Sequence, residues 1–279
     1  MFCFRRALVA LLVLPLFGAS ALAAEKKISR YVRFQAGDTV GYGIVQGDRV
    51  RRIAGDLFAS HVPTGQTHAL ADVKLLAPTV PTKILAAAGN YQSHLGAQSK
   101  HPDPELFFKP PSCLIGDGDT IVLPKGSNVV HHEAELVIVI GRRAKNVPVD
   151  KALDYVFGVT CGNDVSARDW QKNDVQWWRA KGTDTFGPCG PSIVAGIDYD
   201  DLLLTCRVNG VVRQQQRTSD LVHGVAAMVS FASRFVTLEA GDLIFTGTPG
   251  KTTDIKPGDV VEVELEGVGV LKNPVAAAE

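Results

Sequence analysis

The chain has 279 residues, 46% of them hydrophobic and 21% charged, with 29 acidic side chains balancing 29 basic ones. That length supplies one or two domains with a sizeable core, and the even charge argues against nucleic acid as the main partner. Composition also excludes a disordered, collagenous or disulfide-dense chain.

Residues 1–23 read as a signal peptide: Arg5 and Arg6 form a basic start, residues 7–17 an apolar run, and Ala21-Leu22-Ala23 a small-residue cleavage site. The run falls short of the roughly 20 apolar residues that a spanning helix needs, so we expect an exported, periplasmic or secreted chain with no membrane anchor after cleavage. Cys113, Cys161, Cys189 and Cys206 remain, with no C-x-x-C pair among them. They give no support to zinc or thioredoxin-type chemistry and read as small buried hydrophobes.

Strands are expected over residues 30–34, 40–45 and 49–53, a meander turning at Gln46-Gly47-Asp48. Pro78 and Pro81 mark a boundary, which gives a small N-terminal β domain over 24–80 and a catalytic domain over 81–279. A strand over 83–88 leads into Gly89-Asn90-Tyr91, and the proline-rich stretch 99–111 reads as a functional loop or lid. Apolar strands follow over 133–140 and 155–162, and Trp177, Arg179 and Lys181 alternate along another. Residues 202–209 and 211–217 flank Asn209-Gly210, a strong hairpin signal. Leu221, Val225, Met228, Ala232 and Phe235 predict a helix capped by Ser219. Residues 243–246 form a strand after Gly241-Asp242, and 260–266 is expected to be the last. The fold class is α+β, predominantly β.

The most informative stretch is His131-His132-Glu133-Ala134-Glu135. Side chains alternate faces along a strand, so Glu133 and Glu135 project the same way, beside apolar Val137 and Val139. Two carboxylates in that setting stay ionised only with a counter-charge. Asp164, just beyond the next apolar strand, supplies a third. Three oxygen donors without clustered Cys or His suit a hard cation, Mg2+ first, with Mn2+ or Ca2+ as alternatives. Glu262, Glu264 and Glu266 have the same spacing in a row that faces water, so spacing alone does not decide. A helical turn would put Asp164, Arg168 and Gln171 on one face, where a guanidinium and an amide suit a substrate carboxylate or carbonyl; the plain alternative is a surface ion pair. Lys181 could stabilise an enolate or oxyanion, or be an ordinary solvated lysine. His131 and His132 adjoin the same strand, and one of them is a candidate to support the ligands.

In chain order, Gly89-Asn90-Tyr91-x-x-His94, Phe108-Lys109-Pro110, Glu133-x-Glu135-Leu136, Asn163-Asp164-Val165-Ser166-Ala167-Arg168-Asp169, Arg179-Ala180-Lys181-Gly182, Gly187-Pro188 and Thr246-Gly247-Thr248-Pro249 span most of the chain. This series resembles the fumarylacetoacetate hydrolase family, in particular its acylpyruvase-like and 2-hydroxyhepta-2,4-diene-1,7-dioate-isomerase-like members. The resemblance implies a mixed β-sandwich roll with a small N-terminal domain, usually dimeric. It implies a divalent cation on Glu133, Glu135 and Asp164, and a 1,3-dioxo or 2-oxo acid held near Arg168, Gln171, Lys181 and Thr248. It also implies that His94 helps deliver water. Hydrolytic relatives orient that histidine with a carboxylate three residues on, where this chain has Ala97 followed by Gln98. Glu105 in the lid is the available substitute, and Gly250-Lys251-Thr252 replaces a small Gly/Val run common in the family.

We therefore expect a metal-dependent hydrolase that cleaves a C–C bond in a 1,3-dioxo or acylpyruvate-like acid, with His94 and Lys181 as its catalytic residues. The alternative, favoured by Ala97, is an isomerase, tautomerase or decarboxylase of a 2-oxo or 2-hydroxydienoic acid on the same metal site. A third reading is an exported binding protein without turnover. In each case the partner is a small oxo-acid and the chain is expected to form a homodimer.

Overall fold

The computed structural model describes residues 27–98 and 100–279. The expected signal peptide and Ser99 lie outside the described residues. The fold is mostly β, as expected, and is built on two large sheets with a two-stranded one beside them. The larger has twelve strands. Its main path, in hydrogen-bonded order, is His61–Ala69, Arg49–Gly55, Thr39–Gln46, Ser29–Ala36, Gly187–Ala195, Val156–Asn163, Ala134–Ile140, Leu243–Phe245, Ile84–Ala88 and Glu105–Lys109. The N-terminal meander joins this sheet directly, Tyr31 pairing with Ile193. The second sheet has five strands: Val211–Arg217, Leu203–Val208, Val260–Leu265, Gly269–Ala277 and Ile121–Leu123.

Ala134–Ile140 is buried along its whole length because both its faces are covered. Leu136, Ile138 and Ile140 pack with Val261, Val263 and Leu265 of the smaller sheet and with Met228 and Val229 of the helix Val225–Phe235. Val137 and Val139 face a second cluster with Ile84, Leu243 and Phe245. All four described cysteines are free and buried, as their reading as small hydrophobes requires.

Several expected elements change. Trp177 to Lys181 is not a strand: a helix covers Trp178–Gly182, and Lys181 N donates to Trp177 O at 2.9 Å. Over five residues an alternating pattern also places its ends one helical turn apart, so the pattern could not discriminate. The 99–111 stretch is not all loop, since Glu105–Lys109 pairs with Ile84–Ala88. The helix starts after Gly224 rather than at Ser219, because Thr218–Asp220 forms its own short turn and Leu221 bridges to Tyr91. Phe235 ends that helix 67% exposed, outside the core. A further strand, His61–Ala69, was not expected; it carries Pro63 and Gly65, which are tolerated because it is outermost in the sheet. Gly269–Ala277 follows the strand expected to be last.

Asp242 fastens the centre of the sheet. Its carboxylate accepts from Thr82 N, Thr82 Oγ1 and Lys83 N at 2.8–3.0 Å, from Lys83 Nζ at 2.6 Å and from Glu239 N at 2.7 Å. Its carbonyl takes Ile140 N at 2.9 Å. Asp242→Ala removes the buried acceptor that these part-exposed donors share and should destabilise the fold by about 2 kcal/mol, read from urea unfolding at neutral pH.

Candidate metal centre and adjoining cavity

The antiparallel pairing of Ala134–Ile140 with Val156–Asn163 brings the three acids together. Ala134 lies opposite Asn163 and Glu135 opposite Gly162. Asp164 N then donates to Glu133 O at 2.9 Å, and Glu133 N to Asn163 Oδ1 at 2.8 Å. Position 162 must be glycine: a Cβ there would sit 2.4 Å from Val137 and 2.5 Å from the Phe245 ring. Oxygens of Glu133, Glu135 and Asp164 lie within 4.8 Å of one another, and all three residues are buried.

Three cations face them. Lys181 Nζ lies 2.6 Å from Glu133 Oε2 and 2.6 Å from Asp164 Oδ2. Lys109 Nζ donates to Asp164 Oδ1 at 2.6 Å, to Phe186 O at 3.1 Å and to Lys181 O. Arg168 contacts Glu133 Oε1 through NH2 and donates from NH1 to Gln171 Oε1 at 2.7 Å. Burial works to raise the Glu133 carboxyl, but Lys181 and Arg168 overcome it and hold that group well below the usual carboxylate range. Burial likewise opposes the charge on Lys181, yet Asp164 and Glu133 keep its ammonium above the ordinary lysine value.

Glu135 differs. Its Oε2 accepts from Gly247 N at 2.6 Å, while its buried Oε1 has no partner among the described residues. Burial, then Asp164 and Glu133, push its carboxyl well above the ordinary value. An orphaned buried oxygen beside two further carboxylates, with oxygen donors alone, fits a hard divalent cation.

Glu133, Lys181, Arg168, Gln171, His94 and Thr248 all line one cavity of about 260 Å³, together with Gln98, His101 and Trp177. Glu135 and Asp164 lie beneath it, fully buried. Asp164 precedes the helix Arg168–Asn173 instead of sharing a face with it, because Ser166–Ala167 pairs as a short strand with Val130–His131. Thr248 Oγ1 donates to Ala134 O at 2.8 Å and accepts from Gln214 Nε2 at 2.8 Å, so its proton is already committed. His94 sits on the short helix Gln92–Leu95, and its Nδ1 donates to Gly250 O at 2.7 Å. That leaves Nε2 as the ring nitrogen free to exchange a proton. Glu105 does not replace the missing carboxylate; its Oε1 lies 3.7 Å from His101 Nδ1 instead.

Sequence reasoning assigned no role to Lys109, Gly247, Gly250 or Gln214. Lys109 stood within the Phe108-Lys109-Pro110 motif, and that was its only signal. The two glycines act through backbone atoms, which a side-chain motif does not encode. His132 supports the cavity wall at Thr248. Burial pushes its imidazole down to about 4, and Nδ1 lies 3.1 Å from Gln214 Oε1, whose amide holds Thr248.

The family described as fumarylacetoacetate (FAA) hydrolase C-terminal matches residues 83–276, and one described as Rv2993c-like, N-terminal, matches residues 29–78. The chain is 43% identical to the crystal structure of 2-hydroxyhepta-2,4-diene-1,7-dioate isomerase from Mycobacterium marinum, with a TM-score of 0.84 over 89% of this chain and 98% of that one. It is 41% identical over 219 residues to the mitochondrial oxaloacetate tautomerase fahd2 of Xenopus laevis, covering 73% of this chain and 69% of the relative. Maleylpyruvate hydrolase from Sphingobium sp. SYK-6, solved with manganese(II) and pyruvate, is 31% identical, with a TM-score of 0.75 over 90% of this chain and 100% of that one.

Because the Glu135 carboxyl holds its proton to unusually high pH, cation binding should release that proton, and affinity for Mg2+ or Mn2+ should rise as pH rises. Calorimetry in two buffers of different ionisation enthalpy measures the release. Glu135→Ala should abolish it and weaken cation binding about 100-fold or more.

Proposed function

The chain belongs to the fumarylacetoacetate hydrolase family, and on that premise we propose that it catalyses divalent-metal-dependent tautomerisation or decarboxylation of a short 2-oxo acid. The observation that carries this reading is the setting of His94. Its Nδ1 is held by the neutral carbonyl of Gly250, and Ala97 stands where hydrolytic relatives place a carboxylate. A carbonyl fixes the tautomer, but it stabilises an imidazolium far less than a carboxylate does. That weakens the histidine as a base, which counts most against hydrolysis, the one reaction of the set that needs an activated water. Relatives named isomerase and tautomerase are 43% and 41% identical, above the 31% of the hydrolase. The first expectation, C–C hydrolysis, therefore ranks second, supported by that hydrolase neighbour and by the retained His94.

Glu133, Glu135 and Asp164 would hold the cation, which supplies Lewis-acid polarisation of a chelating oxo-acid. Arg168 and Gln171 orient the substrate carboxylate with a planar fork and an amide. Lys181 places positive charge where the enolate oxygen develops, and His94 Nε2 takes and returns the proton at the adjacent carbon. The cavity of about 260 Å³ suits a compact oxo-dicarboxylate better than a long-chain substrate.

With Mg2+ or Mn2+ present, the protein should accelerate decay of the enol form of oxaloacetate, followed by loss of the enol absorbance. Pyruvate release from an acylpyruvate should be about 100-fold slower or more, and the reverse ratio would return hydrolysis to first place. Lys181→Met should lower kcat for tautomerisation by about 100-fold or more. Introducing Ala97→Glu should raise acylpyruvate cleavage; an unchanged rate would show that the absent carboxylate is not what limits it.

A further inference from the structure

The loop after Pro249 is tied to the rest of the protein through side chains that the reaction outlined above does not use. Thr252 Oγ1 accepts from Arg168 NH2 at 2.8 Å and lies 2.8 Å from His131 Nδ1. The other ring nitrogen, His131 Nε2, lies 2.9 Å from Asp254 Oδ1. Asp254 is held in turn by Lys256 Nζ at 2.8 Å. We propose that Asp254, His131 and Thr252 form a positioning chain that sets the plane of the Arg168 guanidinium. This rests on the reading of the cavity as an oxo-acid site.

Donor and acceptor roles give the chain a direction. A carboxylate only accepts, so His131 Nε2 carries the proton it shares with Asp254. At Nδ1 the ring and the Thr252 hydroxyl share one hydrogen bond. An arginine nitrogen only donates, so Thr252 Oγ1 turns a lone pair toward Arg168 whichever of the two holds that proton. NH2 is thereby shared between Thr252 and Glu133, while NH1 is held by Gln171. A guanidinium recognises a carboxylate through the orientation of its fork, so fixing that plane beforehand reduces the ordering that substrate must impose. Arg168 itself touches substrate; the other three residues act through it. The same loop supplies the Gly250 carbonyl that fixes His94, so one short segment orients both groups.

Thr252→Val keeps the shape of the side chain and removes the hydroxyl. With Mg2+-loaded protein and oxaloacetate, KM should rise about 10-fold while kcat falls less than about threefold, and Thr252→Ser should bring KM back to within about twofold of the unmodified protein. Independently of turnover, 15N NMR of the imidazoles, assigned with His131→Gln, should show the His131 Nδ1 resonance displaced in Thr252→Val and restored in Thr252→Ser. An unchanged KM in Thr252→Val, a serine variant no better than the valine one, or an Nδ1 resonance that Thr252→Val leaves in place would each overturn the chain. Should the unmodified protein turn over no oxo-acid, the reading of the cavity falls, and the NMR result alone then decides on the chain.

Discussion

Three carboxyl groups, two ammonium groups and one guanidinium meet in and below a single small cavity, and the surrounding structure exists to hold them there. Bringing such charges out of water costs several kcal/mol for each ion unless partners replace the lost hydration. Lys109 shows how far that replacement goes. It is wholly buried, and its ammonium is satisfied by one carboxylate and two backbone carbonyls. Glu135 is the exception that gives the cluster its chemistry. Of these groups it alone keeps a buried oxygen without a partner among the described residues, the one point where the site can still take a cation.

The frame that holds this cluster is stiff where it needs to be. Paired strands fix Glu133, Glu135 and Asp164 by register, and the tight fit at Gly162 lets the Phe245 ring pack under them. The cations come from less regular parts, a strand end for Lys109 and a one-turn helix for Lys181. Those parts are locked to each other, since Gly182 leaves room for the Pro110 ring and Lys109 holds the Lys181 carbonyl. Asp242 does for the centre of the sheet what Lys109 does for the site, with one buried carboxylate gathering donors from Thr82-Lys83 and from Glu239.

Much of this was legible from sequence because it rests on local periodicity. Alternation set Glu133 and Glu135 on one face, and Asn209-Gly210, both at positive φ, made the expected hairpin. The row Glu262, Glu264 and Glu266 showed the same spacing and proved to be a half-exposed to exposed face with surface ion pairs to Lys272, Arg207 and Arg217. What separates the two rows is the burial that the fold imposes, and spacing carries no trace of it. The site residues that were missed act across long sequence distances or through backbone atoms. Lys109 reaches Asp164, 55 positions away, and Gly247 reaches Glu135, 112 positions away. The helix Trp178–Gly182 was hidden for another reason: its sequence fits either period equally well.

Those separations bear on how the molecule comes together. Closing loops of such length is entropically unfavourable until many other contacts exist, so groups joined across them meet late in folding. Lys109 and Gly247 therefore complete the acidic cluster only after the central strands have paired. A divalent ion would thus bind the finished chain and slow its unraveling, without hastening its assembly.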